Sequence, residues 1–600
     1  MNKKRIVILV LMFLIVSMLP AIGIKDELSY IRESYDGYTL FSPMASTTTY
    51  LINNDGDVVH TWVSNYKPRL SVYLLENLNL LRTNFLGNNS VFVAAGASGR
   101  VELLSWNGTV IWDFEYSSNQ YCTHHDIEML PNGNIFMIAW EYKSATEGLA
   151  AGRDPLVSNI PIWPDHVIEV EPTGDSGGNI VWEWHVWDHL IQDYDPSKDN
   201  FGVVSDHPEL IDINFAGGRE FNHINSIDYN EELDQILLSV NKFNEIWVID
   251  HSTTTAEAAS HTGGNIGKGG DILYRWGNPR TYDTGNVGDQ KFFNNHDAQW
   301  IESGCPGEGN FLVFNNGMNR PDVDYSSVDE IVPPIDENGN YIYTPGSAYG
   351  PDEQVWIYTS ENLTDFFSSG ISGAQRLPNG NTAICEGNSG TFFEVTPDGL
   401  TVWEYVNPYP SPGSNVFKIR RYNLLFNPLI TDLSSYWNFI SLPFINSVNK
   451  TNLIVHNDGT DYSWSNAITE GFVSDFIFGW SRNGQNYNFE NTIEPGFGYW
   501  FYLSVPCELR AENITITPDD YITDLEQGWN IVGVPHDQPV NKTDILVDDS
   551  SWDDAVTAGC INDFVFGWSR TGQSYYFADM LMPGYAYWVY AYQSCTLKRL

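Results

Sequence analysis

Asn294-Asn295-His296-Asp297-Ala298-Gln299-Trp300 has three relatives elsewhere in the chain. Thr123-His124-His125-Asp126-Ile127-Glu128 runs on into Met129-Leu130-Pro131-Asn132-Gly133-Asn134. Phe221-Asn222-His223-Ile224-Asn225-Ser226-Ile227 repeats the pattern. Ile371-Ser372-Gly373-Ala374-Gln375-Arg376-Leu377-Pro378-Asn379-Gly380-Asn381 keeps the frame without the histidine. Aligning Ala298-Gln299 with Ala374-Gln375, and Leu130-Pro131 with Leu377-Pro378, puts His125, His223, His296 and Ser372 at one repeat position.

Around these stretches lies a second periodicity. Thr49 to Trp62 reads as strand, Asn/Asp-Gly turn, strand, which is a hairpin. Five more hairpins close on an aromatic residue, near Trp112, Trp184, Trp276, Tyr358 and Tyr405, at intervals of about 50 to 90 residues. Two hairpins per repeat make a four-stranded sheet, and repeated sheets of this kind close radially into a β-propeller. We count six blades over residues 30–425. The insertions at 141–163, 187–219 and 322–352 are too irregular for blade strands and are expected to cover one face.

A different repeat follows. Tyr436-Trp437-Asn438-Phe439 matches Gly528-Trp529-Asn530-Ile531, and "FGWSRNGQ" at 478–485 matches "FGWSRTGQ" at 566–573. The predicted fold class is therefore all-β: a six-bladed β-propeller followed by two tandem β-rich repeat modules. The predicted boundaries are 24–430 for the propeller, and 431–515 and 516–600 for the modules. We read the modules as structural or surface-attachment units, with carbohydrate binding through exposed Trp as a lesser alternative.

Residues 2–5 are Asn-Lys-Lys-Arg, followed by an apolar run from Ile6 to Leu19 and then Pro20-Ala21-Ile22-Gly23. A basic start, a short apolar run and a small-residue exit predict an export signal over residues 1–23, with an uncleaved anchor as the alternative. The run is shorter than the ~20 residues a membrane span requires. The formal net charge is −46. Such a surface repels nucleic acid and anionic lipid headgroups, which makes both poor partner candidates. The six cysteines show none of the close spacing of a zinc site.

In a propeller the innermost strands line a central channel, so equivalent positions face one another around the axis. His125, His223 and His296 are therefore expected to converge at one mouth. Asn225, two residues beyond His223, faces the same side. His124 lies on the opposite alternation or at the strand entry. Asp126 and Asp297 are expected to point away and to orient neighbouring groups. Three histidines can serve as nucleophile, acid and base, and they can also form a zinc site. The residues alone leave a metal-dependent propeller and a non-catalytic, ligand-binding propeller open as alternatives.

Several motifs together resemble the aryl-sulfate sulfotransferase (arylsulfotransferase) family of exported six-bladed propellers. They are "GYTLFSP" at 37–43, "HHDIEMLPNGN" at 124–134, "HINSI" at 223–227, "NHDAQW" at 295–300, "NNGMNRP" at 315–321 and "AQRLPNGNT" at 374–382. The resemblance covers about two-thirds of the chain and leaves out the C-terminal modules. It implies transfer of a sulfuryl group from an aryl sulfate to a phenol through a sulfo-histidine, without a nucleotide sulfate donor, a cofactor or a metal. His296 matches the family nucleophile. His125 (with His124 as the less favoured choice), His223 and Asn225 match the residues that hold the sulfate and assist proton transfer. One departure stands out: the family's arginine downstream of the "H-x-N" histidine is replaced here by Asn241. Arg320 and Arg376 are the sequence candidates for the missing cation.

Overall fold

The computed structural model describes residues 34–599 apart from 76–78, 107, 337–338, 412–413, 423–429, 443–446, 458–459, 512–521, 534–539, 571–572, 579 and 583. The predicted export signal, 1–23, lies outside the described residues. The chain divides into two compact units, Met1–Tyr422 and Asn423–Leu600.

Among the described residues, the first unit contains six four-stranded antiparallel sheets. Five of them run outward in chain order from the innermost strands Pro68–Leu74, Tyr121–Met129, Ile224–Asn230, His296–Trp300 and Gly373–Arg376. The remaining sheet joins the two ends of the unit. Its innermost strand is Arg420–Tyr422, paired antiparallel with Tyr38–Phe41 from the start. The repeats read from sequence are thus offset by one strand from the sheets, because the first sheet borrows its inner strand from the end of the unit. Gln375 of the preceding sheet grips that strand from the side: its amide donates to Arg421 O (3.2 Å) and its carbonyl accepts from Arg421 N (2.6 Å).

The periodic aromatic residue has one job in all six sheets. Each outermost strand carries a tryptophan whose indole N–H donates to a carbonyl in the last connection of the next sheet. Trp62 reaches Ser105 O, Trp112 Gly177 O, Trp184 Gly270 O, Trp276 Pro351 O and Trp356 Pro397 O, at 2.7–3.2 Å. Trp403 of the sixth sheet reaches Asn54 O of the first, at 2.8 Å, and closes the circle. A buried indole needs a partner for its N–H, and here the partner is always the neighbouring sheet. In the last two sheets this residue is Trp356 and Trp403, two positions before the tyrosines noted in the sequence.

The predicted insertions form their own substructure. They include the helix Ala145–Ala150, capped by Ser144 and Glu147, and a short parallel pairing of Leu190–Ile191 with Ile211–Asp212.

In the second unit each module folds around its own core, one from Leu433 to Leu509 and the other from Leu525 to Leu597. The repeat explains how the two join. Trp480 Nε1 and the Gln485 side chain bond the Trp529 backbone, and Trp568 Nε1 and the Gln573 side chain bond the Trp437 backbone in return. Trp500 and Trp588 are buried between them with Phe439 and Ile531. These repeat tryptophans hold the modules together, whereas the most exposed aromatic residues described are Phe489, Phe577, Tyr436, Phe476 and Phe564.

Replacing Trp403 by Phe removes the indole donor at the seam and strands the Asn54 carbonyl. The expected cost is about 1–3 kcal/mol, seen by calorimetry on the full chain as a lower transition for the propeller unit with the modules' transition unmoved. An unchanged propeller transition would show that the circle is not mechanically closed at this point.

Candidate active site

The innermost strands do not reach the channel mouth as regular strands. Pairing register slips between Pro68 and Val72, between Thr123 and Ile127, between Ile224 and Ser226, and between His296 and Gln299. His125 (φ 51°), His223 (φ 54°) and Asp297 (φ 50°) adopt left-handed backbone at or beside these slips, and Ile371 (φ 52°) and Ser372 (φ 86°) do so just before the regular strand Gly373–Arg376. Each costs on the order of 1 kcal/mol, more for the β-branched Ile371, and such residues gather at functional sites.

The slips bring the three histidines together. The His125 and His223 rings stand 4.6 Å apart between centroids. Phe417, just before the closing strand, lies 6.2 Å from the His125 ring and 6.3 Å from that of His296. Each histidine has a different partner on Nδ1. His296 Nδ1 is 2.7 Å from Asn316 Oδ1. The Asn316 amide nitrogen donates to Ser368 O and Ile371 O, so its oxygen is fixed as the acceptor. His296 must then carry its proton on Nδ1, and Nε2 keeps a lone pair, which meets the Ile371 N–H at 3.2 Å. Burial pushes the His296 pKa down to about 4, so the imidazole is neutral at neutral pH. His223 Nδ1 is held by the Glu220 carboxylate. Burial favours the protonated acid at Glu220, but its hydrogen bond and charge pairing with His223 prevail and keep its pKa below the usual range.

His125 is buried and uncharged. Burial first, then repulsion from the neighbouring basic groups, Arg69 among them, holds its pKa well below the usual range. Its Nδ1 is 2.8 Å from His124 Nδ1. His124 itself is fully buried, stacked on Trp140 with 4.0 Å between ring centres. Its Nε2 lies 2.8 Å from Asp165 Oδ1 in an electrostatic contact that is poorly directed for a hydrogen bond. His124 therefore braces His125 from behind and does not face the channel. Gly96 is pressed against the His125 ring: a Cβ there would fall 1.9 Å from Cε1.

Asn225 also sits behind the histidine layer. Its amide donates to Asn295 O at 2.8 Å, where Asn241 Nδ2 also arrives at 3.4 Å. Both amides thus steady the residue preceding His296. The two arginines named from sequence are not brought to the histidines by any hydrogen bond among the described residues. Arg376 lies about 13 Å along its strand from Ser372. It bonds Glu330 (2.8 Å), Thr382 and Pro306 O. This tie between neighbouring sheets is the same one that Arg421 makes with Glu394. Arg320 donates to Tyr325 O and Ser327 Oγ and lies over the Tyr325 ring at 4.0 Å.

Alternation predicts Asp126 and Asp297 on the far side of their strands, yet the left-handed residues turn both inward. Lys418 Nζ bonds Asp126 (2.8 Å) and Asp297 (3.1 Å), carboxylates from non-adjacent sheets, which only a position on the axis allows. Arg420 grips Asp297 with both Nη atoms, at 2.7 and 2.9 Å. Burial alone would raise the Asp297 pKa, but the Arg420 and Lys418 charges bring it down to about 2. Lys418, Arg420, Asn316 and Glu220 went unnoticed in the sequence. A polar or charged residue where a channel-lining strand begins was the available signal for the first two. Among the described residues, the grouping whose ligand atoms come within metal-binding reach of one another is His189, His261 and Asp271, outside this cluster.

Nitrogen-15 NMR of the histidines should show His296 as the neutral Nδ1–H form at pH 7, protonating near pH 4. Its folded pKa is depressed from the ordinary 6.5. Its neutral form therefore favours the fold above pH 6.5, and that contribution is lost as pH falls towards 4. A midpoint near 6.5, or an Nε2–H form at pH 7, would undo the tautomer assignment.

With this geometry established, the comparisons can be stated. No curated protein matches the chain. Among solved structures, a protein of unknown function from Bacteroides caccae matches at 11% identity and TM-score 0.37, covering 64% of this chain and 99% of its own. Virginiamycin B lyase from Staphylococcus aureus matches at 10% identity and TM-score 0.29, covering 62% and 82%. The Cps50 (Swd1) β-propeller domain of Myceliophteria thermophila matches at 10% identity and TM-score 0.31, covering 62% and 87%. Residues 32–408, most of the first unit, match the arylsulfotransferase (ASST) family. The chain belongs to the arylsulfotransferase family.

Proposed function

We propose that the propeller transfers a sulfuryl group from an aryl sulfate to a phenol, with His296 Nε2 as the carrier. The observation behind this reading is the Asn316–His296 bond. It commits the proton to Nδ1 and leaves Nε2 a neutral nitrogen whose electron pair meets only the Ile371 N–H among the described residues. In the first half-reaction a nitrogen–sulfur bond forms at Nε2 as the sulfur–oxygen bond to the aryl group breaks. The leaving phenolate takes a proton from His223. In the second half-reaction His223 accepts the proton of the incoming phenol, whose oxygen bonds sulfur as the nitrogen–sulfur bond breaks.

Glu220 suits His223 to this exchange, because a carboxylate on Nδ1 orients the ring and leaves Nε2 as the nitrogen that exchanges the proton. His125 would donate to, or pack against, the sulfuryl oxygens. Charge spreads over those oxygens in a loose transition state, so placed donors carry much of the stabilisation. The Ile371 N–H, aimed at His296 Nε2, is a ready donor for one oxygen once sulfur occupies that nitrogen. We further propose that the chain acts outside the cytoplasm, exported by residues 1–23, and that the C-terminal modules attach it to a surface.

A second reading, a propeller that binds a ligand without turning it over, is favoured by one feature. Asn241 stands where the resemblance calls for an arginine.

The test is a two-phenol assay on purified protein in chelator, with nitrophenyl sulfate as donor and with or without an acceptor phenol. Acceptor-dependent release of nitrophenol that survives chelation is expected. His296→Ala should lower it at least ~10³-fold, with circular dichroism unchanged. His223→Gln should lower it about 10²-fold or more and flatten the pH profile. Wild-type turnover in His296→Ala would remove the nucleophile assignment. Silence across several donors in folded protein would favour the binding propeller.

A further inference from the structure

The second sheet also opens at this mouth, and its innermost strand, Pro68–Leu74, carries Arg69 near its start. Its register slip falls at the same place as those beside the histidines. Ser71 Oγ donates to His125 O at 2.9 Å, so the strand is fastened directly to the histidine segment. Arg69 is one of the charges that hold the His125 pKa down.

Arg69 differs from the channel's other cations. Lys418 and Arg420 are spent on Asp126 and Asp297. Arg69 makes no ion pair among the described residues. Its buried Nε has no hydrogen-bond partner, and Nη2 makes one long bond, 3.5 Å, to Ala94 O. Its guanidinium lies 4.5 Å over the Phe85 ring.

Arg69 also lines a cavity of about 310 Å³. Phe85, Leu86, Phe92, Val93 and Ala97 supply the apolar wall. That volume is at the lower end of the range for small-molecule sites, about 300–1,000 Å³. The cavity and the histidine cluster share the backbone of residues 94–97. Gly96 O accepts from His125 N at 3.1 Å, and Ala97 bridges to His124. A cation without an ion pair among the described residues therefore lines a largely apolar cavity that adjoins the histidine segment.

We propose that this cavity binds the aromatic ring of an aryl sulfate and that Arg69 binds its sulfate, turning the ester towards the histidines. Arg69 then supplies, from the second sheet, the cation that Asn241 lacks in the fourth. For its chemistry the inference rests on the sulfuryl-transfer reading above. A planar guanidinium presents paired donors to an oxyanion, and Phe85 behind it keeps it in place. The ligand class follows from the walls: a flat, apolar ring carrying one anionic group.

The experiment has a kinetic and a binding arm, both on the full chain. In the kinetic arm, Arg69→Gln should lower kcat/KM for nitrophenyl sulfate about 10- to 100-fold, and Arg69→Lys should recover part of the loss. Val93→Trp, at an exposed wall position, should lower kcat/KM for a naphthyl sulfate by at least about tenfold while phenyl sulfate is little affected. In the binding arm, calorimetry with nitrophenyl sulfate compares His296→Ala with the Arg69→Gln/His296→Ala double variant, which should bind at least about tenfold more weakly. If wild type turns over and Arg69→Gln matches it within threefold, the inference fails and the transfer reading stands. If wild type does not turn over, the transfer reading fails and the binding arm decides. Weaker binding in the double variant would keep the cavity as an aryl-sulfate site, and equal or absent binding would overturn it.

Discussion

Six indole N–H groups, each donated to the next sheet and the last to the first, are what the rest of the propeller depends on. A four-stranded sheet with two apolar faces cannot stand alone in water, so each sheet must be covered by its neighbours. Burial brings sheets together but has no direction. A directed bond from a rigid aromatic residue sets the angle at which one sheet meets the next. Buried Arg–Glu pairs repeat the constraint nearer the axis, at Arg376–Glu330 and at Arg421–Glu394. Removing one member of such a pair leaves a buried charge, so the pairs penalise wrong registers more than they stabilise the right one.

That closed frame makes the centre possible. Where six strands converge, side chains from distant parts of the chain are forced into one another's company. The chain meets this with charge: Asp126 and Asp297 share Lys418, and Arg420 completes the cluster. Asp126 and Asp297 directly follow His125 and His296. The left-handed turn that sends each carboxylate inward also sets the histidine at the mouth, so the buried charges and the site layer are placed by the same backbone kinks. Further along two of these strands the balance changes: desolvation raises Asp228 to about 7 and Glu128 well above the carboxylate range.

The all-β fold and the repeat were legible because they are written locally, in alternation, in Asn/Asp-Gly turns and in one aromatic residue per repeat. The convergence of His125, His223 and His296 was legible for the same reason, since equal repeat positions meet at the axis. The supporting residues were not. Asp297 and Arg420 are 123 positions apart and meet only because the last strand is borrowed by the first sheet. Glu220 and Asn316 come from connections whose path no periodicity records. Alternation placed Asp126 and Asp297 on the wrong side, since a period of two holds only while the strand stays regular. Arg376 attracted attention by lying in a site-bearing repeat, yet it stands at the other end of the strand, where the repeat requires an inter-sheet tie.

The replacement of arginine by Asn241 follows a consistent charge logic. The Asn241 amide is committed to Asn295 O alongside that of Asn225, so this position now stiffens the approach to His296 and brings no charge to it. His223 Nδ1 is held by the Glu220 carboxylate, so the fixed charge beside this histidine is an anion. Among the described residues at the axis, Lys418 and Arg420 are neutralised by two carboxylates, so neither is a surplus cation for an anionic ligand. Against a surface of net charge −46, long-range attraction cannot bring an anion to the mouth. Recognition of such a ligand must then be short-range, from donors and apolar walls already in position, and an unpaired guanidinium beside an aromatic-lined cavity is the kind of element that supplies both.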